Sequence, residues 1–281
     1  VVLNFLGVIR GGSGDRAGAR DAYRQALVIQ PRFKPALLNL ARLDVATGDF
    51  DTARKSLEDI LKGSRNDVDV LFELGVLEKR RRQDDEARKW FEKARAAHPR
   101  DPRSGLELVD LDMVSGRETQ ALEIAKGLAA TLRGDVQVVE TLGRVQLAMG
   151  DVRAARSSFV EMSRLASSDA ETLIRAGNHL LAAGAFADAE YVGTKALELQ
   201  GASQPAQLLI GRARLGRGAV AEAESIARQM RGDSAERYLL SAAVAAAAGR
   251  SSEAERLYRE AFARAPSSNT LIALARMQMA T

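Results

Sequence analysis

One alanine returns every 34 residues, at Ala19, Ala53, Ala87, Ala121, Ala155, Ala189 and Ala223. The next equivalent, Ala254, follows after 31, so one period is three residues short. Glycines keep the same phase at Gly14, Gly48, Gly116, Gly150, Gly184 and Gly218, and Gly249 carries the shortened phase; Arg82 alone interrupts them. A third series of small residues runs Gly7, Ala41, Gly75, Gly143, Gly177, Gly211 and Ala242, interrupted at Val109. Three phased series of this length constrain the chain to a stack of copies of one unit, because a single copy cannot bury its apolar face alone.

Within a period the pattern is helical. TGDFDTARKSLEDILK and RRQDDEARKWFEKARAAHP place apolar or small residues at i, i+3, i+4 and i+7. The Gly–Asp pairs at 14–15, 48–49 and 150–151 predict a helix end and a helix start. Glycine accepts the left-handed conformation that closes one helix, and aspartate caps the next. Pro31, Pro99 and Pro266 predict the end of the second helix, since proline cannot continue it. Each period is therefore read as two antiparallel helices of about 14 residues, each about 20 Å long. Six prolines and 5% aromatics agree with helix rather than sheet. The predicted fold class is all-α, a single array over 1–281. Its repeats are 1–33, 34–67, 68–101, 102–135, 136–169, 170–203, the short 204–234, and 235–268, with a partial ninth at 269–281. Small residues on both helices are expected to let backbones approach, and Tyr23, Phe91, Phe159 and Tyr258 to fill the space between neighbouring pairs. Ala125, Gly193 and Ala227 stand at the aromatic place in other copies.

The composition excludes several chemistries. There is no cysteine, hence no disulfide, thiolate metal site or cysteine nucleophile. His98 and His179 are 81 residues apart, and both are read as surface or packing residues. No GxxxxGK[ST] or HExxH is present. The glycine-rich GVIRGGSG at 7–14 has no following lysine and falls at a helix turn, so it is read as turn chemistry. The expectation is no catalytic residue, no metal and no cofactor. Lys79–Arg80–Arg81–Arg82 is the densest charge, but Asp84, Asp85 and Glu86 follow at once, which reads as a solvated helix end. The net charge is only +4 and acids alternate with bases, so no nucleic-acid partner is expected. The longest apolar run, Tyr238–Gly249, is too short to span a bilayer. Val1 is not an initiator methionine and begins in mid-pattern, and the last helix carries no polar cap. Both ends read as those of a fragment of a longer chain, whose bare repeat faces are expected to allow end-to-end association.

These residues resemble the tetratricopeptide repeat. The family asks for a large apolar residue, Leu, then Gly or Ala in its first helix, and Ala, an aromatic, Ala and Pro along its second. Leu3, Leu6, Gly7, Ala19, Tyr23, Ala26 and Pro31 supply that order; so do Leu71, Leu74, Gly75, Ala87, Phe91, Ala94 and Pro99. The resemblance implies a right-handed superhelix whose first helices line a concave groove for a protein or peptide. Transferred residue by residue, the groove would include Asn39, Arg42, Phe72, Asp110, Arg144, Asn178 and Arg212. Apolar companions would be Leu38, Leu106, Met113, Ile174, Leu181, Leu208, Leu215 and Leu239. An apolar floor with spaced guanidinium groups suits a peptide bearing carboxylates. The chaperone-adaptor clamp is absent, because the first two repeats offer Asn4, Val8, Asn39 and Arg42. An asparagine ladder is absent too: its places read Phe5, Asn39, Glu73, Glu107, Thr141, Arg175, Leu209 and Leu240.

Residues 144–190 and 235–280 also resemble the PrsT-type repeat lipoproteins of exosortase (PEP-CTERM) exopolysaccharide loci. That resemblance implies a non-catalytic scaffold in bacterial envelope polysaccharide secretion or surface-protein sorting, in the periplasm or at the outer membrane. The alternatives are an intracellular adaptor for peptide motifs and a regulatory segment of a larger enzyme.

Overall fold

A computed structural model describes residues 1–267, 270–272 and 274–275. Most of the ninth-repeat helix expected at 269–281 lies outside the described residues. Sixteen helices are described in full, and no described residue is in a strand. Two compact units are present. Unit 1, Val1–Leu132, holds α1 (Val2–Gly12), α2 (Arg16–Ile29), α3 (Lys34–Thr47), α4 (Phe50–Gly63), α5 (Val68–Arg80), α6 (Asp84–Ala97), α7 (Pro102–Val114) and α8 (Glu118–Thr131). Unit 2, from Arg133 onward, holds α9 (Val136–Ala148), α10 (Val152–Leu165), α11 (Ala170–Ala182), α12 (Phe186–Gln200), α13 (Gln204–Gly216), α14 (Val220–Gln229), α15 (Ala235–Ala247) and α16 (Ser251–Arg264). The fold is an all-α solenoid of helix pairs, and within each unit each helix packs on the next in sequence.

The punctuation sets the helix ends. Asp15, Asp49 and Asp151 accept the backbone N–H three residues on, from Gly18, Thr52 and Ala154. Asp67, Asp101, Asp135 and Asp169 cap first helices on the same 34-residue period, a series the sequence reading passed over. The turn inside each pair closes when the Asp49, Arg117 or Asp151 N–H donates to the Asp44, Asp112 or Gln146 carbonyl. That closure needs a left-handed residue just before it. Gly48, Gly116 and Gly150 supply it, and Arg82 takes the same conformation at φ +60°. The short repeat loses four residues from α14, which has 10 where α10 has 14, and regains one in the following loop, 230–234 against 166–169.

The core sits between the helices of a pair and between successive pairs. A Cβ on Gly7, Gly75 or Gly143 would meet the ring of Tyr23, Phe91 or Phe159 of the same pair at 2.3–2.5 Å. The aromatic therefore rests one edge on its own pair's glycine. Its other side meets the next pair: Phe159 stacks on His179 with ring centroids 4.6 Å apart, and Phe91 clusters with Leu108 and Leu111. Copies that lack the aromatic refill the space differently. Leu209 of α13 enters over Gly177 and Gly193, and Leu240 of α15 enters over Gly211. Beside Ala125 the small-residue place carries Val109, and both are buried. Volume is conserved across the interface while its donors change, as close packing requires.

Candidate functional site

On α3, α5 and α7 the first-helix face of unit 1 is a polar network. A cleft of about 460 Å³ is lined by Lys34, Pro35, Leu38, Asn39, Arg42 and Asp69. It brings together Asn39 and Arg42, two of the residues transferred to the groove. Arg42 Nη1 donates to Asn39 Oδ1 at 3.1 Å, and Asn39 Nδ2 donates to Asn4 Oδ1 at 3.1 Å. Arg42 Nε donates to Glu73 Oε1 at 2.7 Å, and Glu73 is buried. Lys34 Nζ donates to Asp67 at 2.7 Å and Asp69 at 2.9 Å. Arg103 donates to Asp69 and Asp101 and lies 5.0 Å over the Phe72 ring. Half-buried Phe72 in turn tilts against Phe91. Burial pushes the Lys34 ammonium down, but Asp67 and Asp69 outweigh it and hold it above its ordinary value. Lys34 and Arg103 hold the Asp69 carboxyl below its ordinary value. The cations of this face are already matched by the chain's own acids. Asp110 is half-buried and makes no hydrogen bond or ion pair among the described residues.

Unit 2 presents a different face. Arg144 on α9 and Asn178 on α11 are exposed and, among the described residues, make no hydrogen bond or ion pair. Arg212 on α13 is exposed; its charge draws the Tyr258 hydroxyl down, against the larger upward push of burial. Between them lie the half-buried side chains of Ile174, Leu181, Leu208 and Leu215. Glu140 occupies the neighbouring cations, accepting from Arg175 at 3.0 Å and lying 3.0 Å from His179 Nε2. With its ring stacked on Phe159, His179 is a packing residue.

One charged series was missed by the sequence reading. Arg20, Arg54 and Arg88 follow the periodic alanine and pair with Asp44, Glu78 and Asp112, each 24 residues on in the next first helix. All three acids are at most 2% exposed. In unit 2 the same two places hold the inverted pair Glu190–Arg214 at 3.0 Å. Burial pushes the Glu190 carboxyl up, but Arg214 and Arg217 outweigh it and hold it below its ordinary value. The signal was present as two 34-residue series of opposite charge. No helix among the described residues is long and apolar enough to cross a membrane.

Residues 38–102 and 140–205 match a family model described as tetratricopeptide repeat. No curated protein matches the sequence. Among solved structures the chain is similar to a thermophilic TPR protein of Thermus thermophilus, with 19% identity, a TM-score of 0.50, and coverage of 64% of this chain and 97% of that one. It is similar to PilF of Pseudomonas aeruginosa, with 20% identity, a TM-score of 0.50, and coverage of 76% and 91%. It is also similar to a chain of the APC/C hetero-tetramer Cut9-Hcn1, with 16% identity, a TM-score of 0.50, and coverage of 93% and 52%. At these identities the likeness is one of fold.

Proposed function

We propose that this tetratricopeptide-repeat protein is a non-catalytic scaffold that holds a carboxylate-bearing peptide segment on the first helices of unit 2. Tetratricopeptide repeats generally mediate protein–protein interaction. The observation that carries the reading is the contrast between the two faces. In unit 1, Arg42, Lys34 and Arg103 are matched by internal acids. In unit 2, Arg144 and Asn178 stand exposed without a partner among the described residues, beside a strip of half-buried aliphatic side chains. Such a surface offers apolar area for affinity and a guanidinium and amide for orientation. Asn39, Arg42 and Phe72 then hold the unit 1 face in shape, while Arg144, Asn178 and Arg212 contact the ligand. The setting we favour is bacterial envelope polysaccharide secretion or surface-protein sorting, supported by the PrsT-type likeness of 144–190 and 235–280.

Neighbouring packed helices lie roughly 10 Å apart. Arg144 and Arg212, two repeats apart, are therefore separated by roughly 20 Å, or about six residues of an extended peptide. Fluorescence anisotropy with leucine-containing peptides bearing two glutamates at that spacing tests the reading, with lysine-substituted peptides as the contrast. The glutamate peptides are expected to bind at least tenfold tighter, and Arg144→Glu with Arg212→Glu to remove the difference. Equal binding of both peptides, or an unaffected double variant, would retire the assignment.

A further inference from the structure

The outer face of α1 carries an apolar stripe in water. Val2, Phe5 and Ile9 are 80%, 63% and 54% exposed. At the place of Val2, the later first helices of unit 1 have Ala36, Val70 and Ser104, all buried. At the place of Ile9 they have Leu43, Leu77 and Leu111, of which the last two are buried and Leu43 half-buried. Each of those helices packs on the second helix before it. The α1 face thus has the shape and hydrophobicity of a repeat interface with its partner helix unspecified.

Two residues specify that partner. Arg10 stands at the place of Asp44, Glu78 and Asp112, which face Arg20, Arg54 and Arg88. It has the charge of Arg214, which at this same place faces Glu190. Arg10 donates only to the Gly18 carbonyl, at 3.2 Å, and meets no carboxylate among the described residues. Phe5 stands at the place of Leu209 and Leu240. A large apolar residue there enters over an emptied aromatic place: Leu209 over Gly193, and Leu240 after Ala227. Where the preceding aromatic is present, as Tyr23, Phe91 or Phe159 in α2, α6 or α10, the corresponding residue is polar: Asn39, Glu107 or Arg175.

We propose that the outer face of α1 docks a tetratricopeptide-type second helix that has a carboxylate directly after its periodic alanine and Gly or Ala three residues later. Within this chain α12 and α14 have that signature, as Ala189, Glu190 and Gly193 and as Ala223, Glu224 and Ala227, and α12 is the one whose carboxylate meets an arginine at the place of Arg10. The carboxylate pairs with Arg10, and the small residue leaves room for Phe5. Charge complementarity and volume complementarity select the same helix type independently.

The test adds a copy of residues 170–204 ahead of Val1, so that the added α12 copy precedes α1. Hydrogen exchange of α1 amides is expected to slow at least tenfold relative to the unextended chain. Glu190→Arg in the added copy alone is expected to abolish most of that protection, and Arg10→Glu to restore it. Gly193→Phe in the added copy is expected to block docking in either charge background. Equal protection by the wild-type and Glu190→Arg extensions, or failure of Arg10→Glu to reverse their order, would overturn the proposal. So would sedimentation of the unextended chain as a dimer that Phe5→Asp dissolves, since a second copy would then cover the face.

Discussion

Arg82 sits at φ +60°, in a conformation that Gly48, Gly116, Gly150 and their equivalents adopt without a Cβ. A side chain there costs about 1–2 kcal/mol, and the glycine replacement returns part of that by adding freedom to the unfolded chain. Arg82→Gly is therefore expected to stabilise the protein by about 0.5–1 kcal/mol. A urea titration checks it, and a fall in midpoint would show that the Arg82 side chain contributes more than its backbone costs. The reverse logic applies at Gly75. A Cβ there would lie 2.4 Å from Phe91 Cε1, and Phe91 is fully buried with little room to withdraw. Gly75→Ala is expected to destabilise by about 1–3 kcal/mol, and Phe91→Leu in the same chain to recover part of that loss. Thermal unfolding of the parent and the two variants measures both the loss and its recovery, and a harmless Gly75→Ala would contradict the packing described.

Among the elements, the helix pairs were legible because a 34-residue period repeats their caps, turns and small residues many times over. One weak signal, copied that often, becomes a strong one. The interruption at Arg82 was legible as an irregularity, and the structure shows it to be one of side chain only, since its backbone keeps the glycine conformation. The ion pairs between repeats were not read, although Arg20, Arg54 and Arg88 obey the same period. Isolated charges on a helix look like a solvated face, and only the fold reveals that Asp44, Glu78 and Asp112 are buried beneath them. The same holds at Arg42, whose sequence neighbours do not announce that Glu73 of the next first helix lies 2.7 Å from its guanidinium. Burying a carboxylate costs several kcal/mol unless its partner is present, so removing one partner is worse than removing both. Arg20→Leu is expected to cost about 3–5 kcal/mol by stranding Asp44, and Arg20→Leu with Asp44→Leu distinctly less. A double-mutant cycle in guanidinium chloride reads the coupling, and additive losses would show that the pair does not act as one unit.

At the level of the whole chain these pairs make stability a function of acidity. Glu190 is held below its ordinary value against the opposing push of burial, by Arg214 and Arg217. Asp69 is held down by Lys34 and Arg103, and Asp101 by Arg103. A carboxyl whose folded value is depressed stabilises the fold above its unfolded value, near pH 4, and loses that contribution as pH falls through the folded value. Lys34 moves the other way, raised by Asp67 and Asp69. Its own titration lies far into the alkaline range, so it leaves the acid limb to the carboxylates. The melting temperature is therefore expected to be level from neutrality down to about pH 5 and to fall steeply below about pH 4. Glu190→Gln isolates one contribution. The variant is expected to melt below the parent at pH 7, and the gap is expected to narrow as the solution is taken to about pH 2, where the parent's Glu190 is protonated as well. Added salt should shrink the neutral-pH gap only in part, because Glu190 and Arg214 are mostly shielded from solvent whereas Arg217 is not. A gap that stays constant across the acid limb would mean that Glu190 stabilises unit 2 by packing and not by charge.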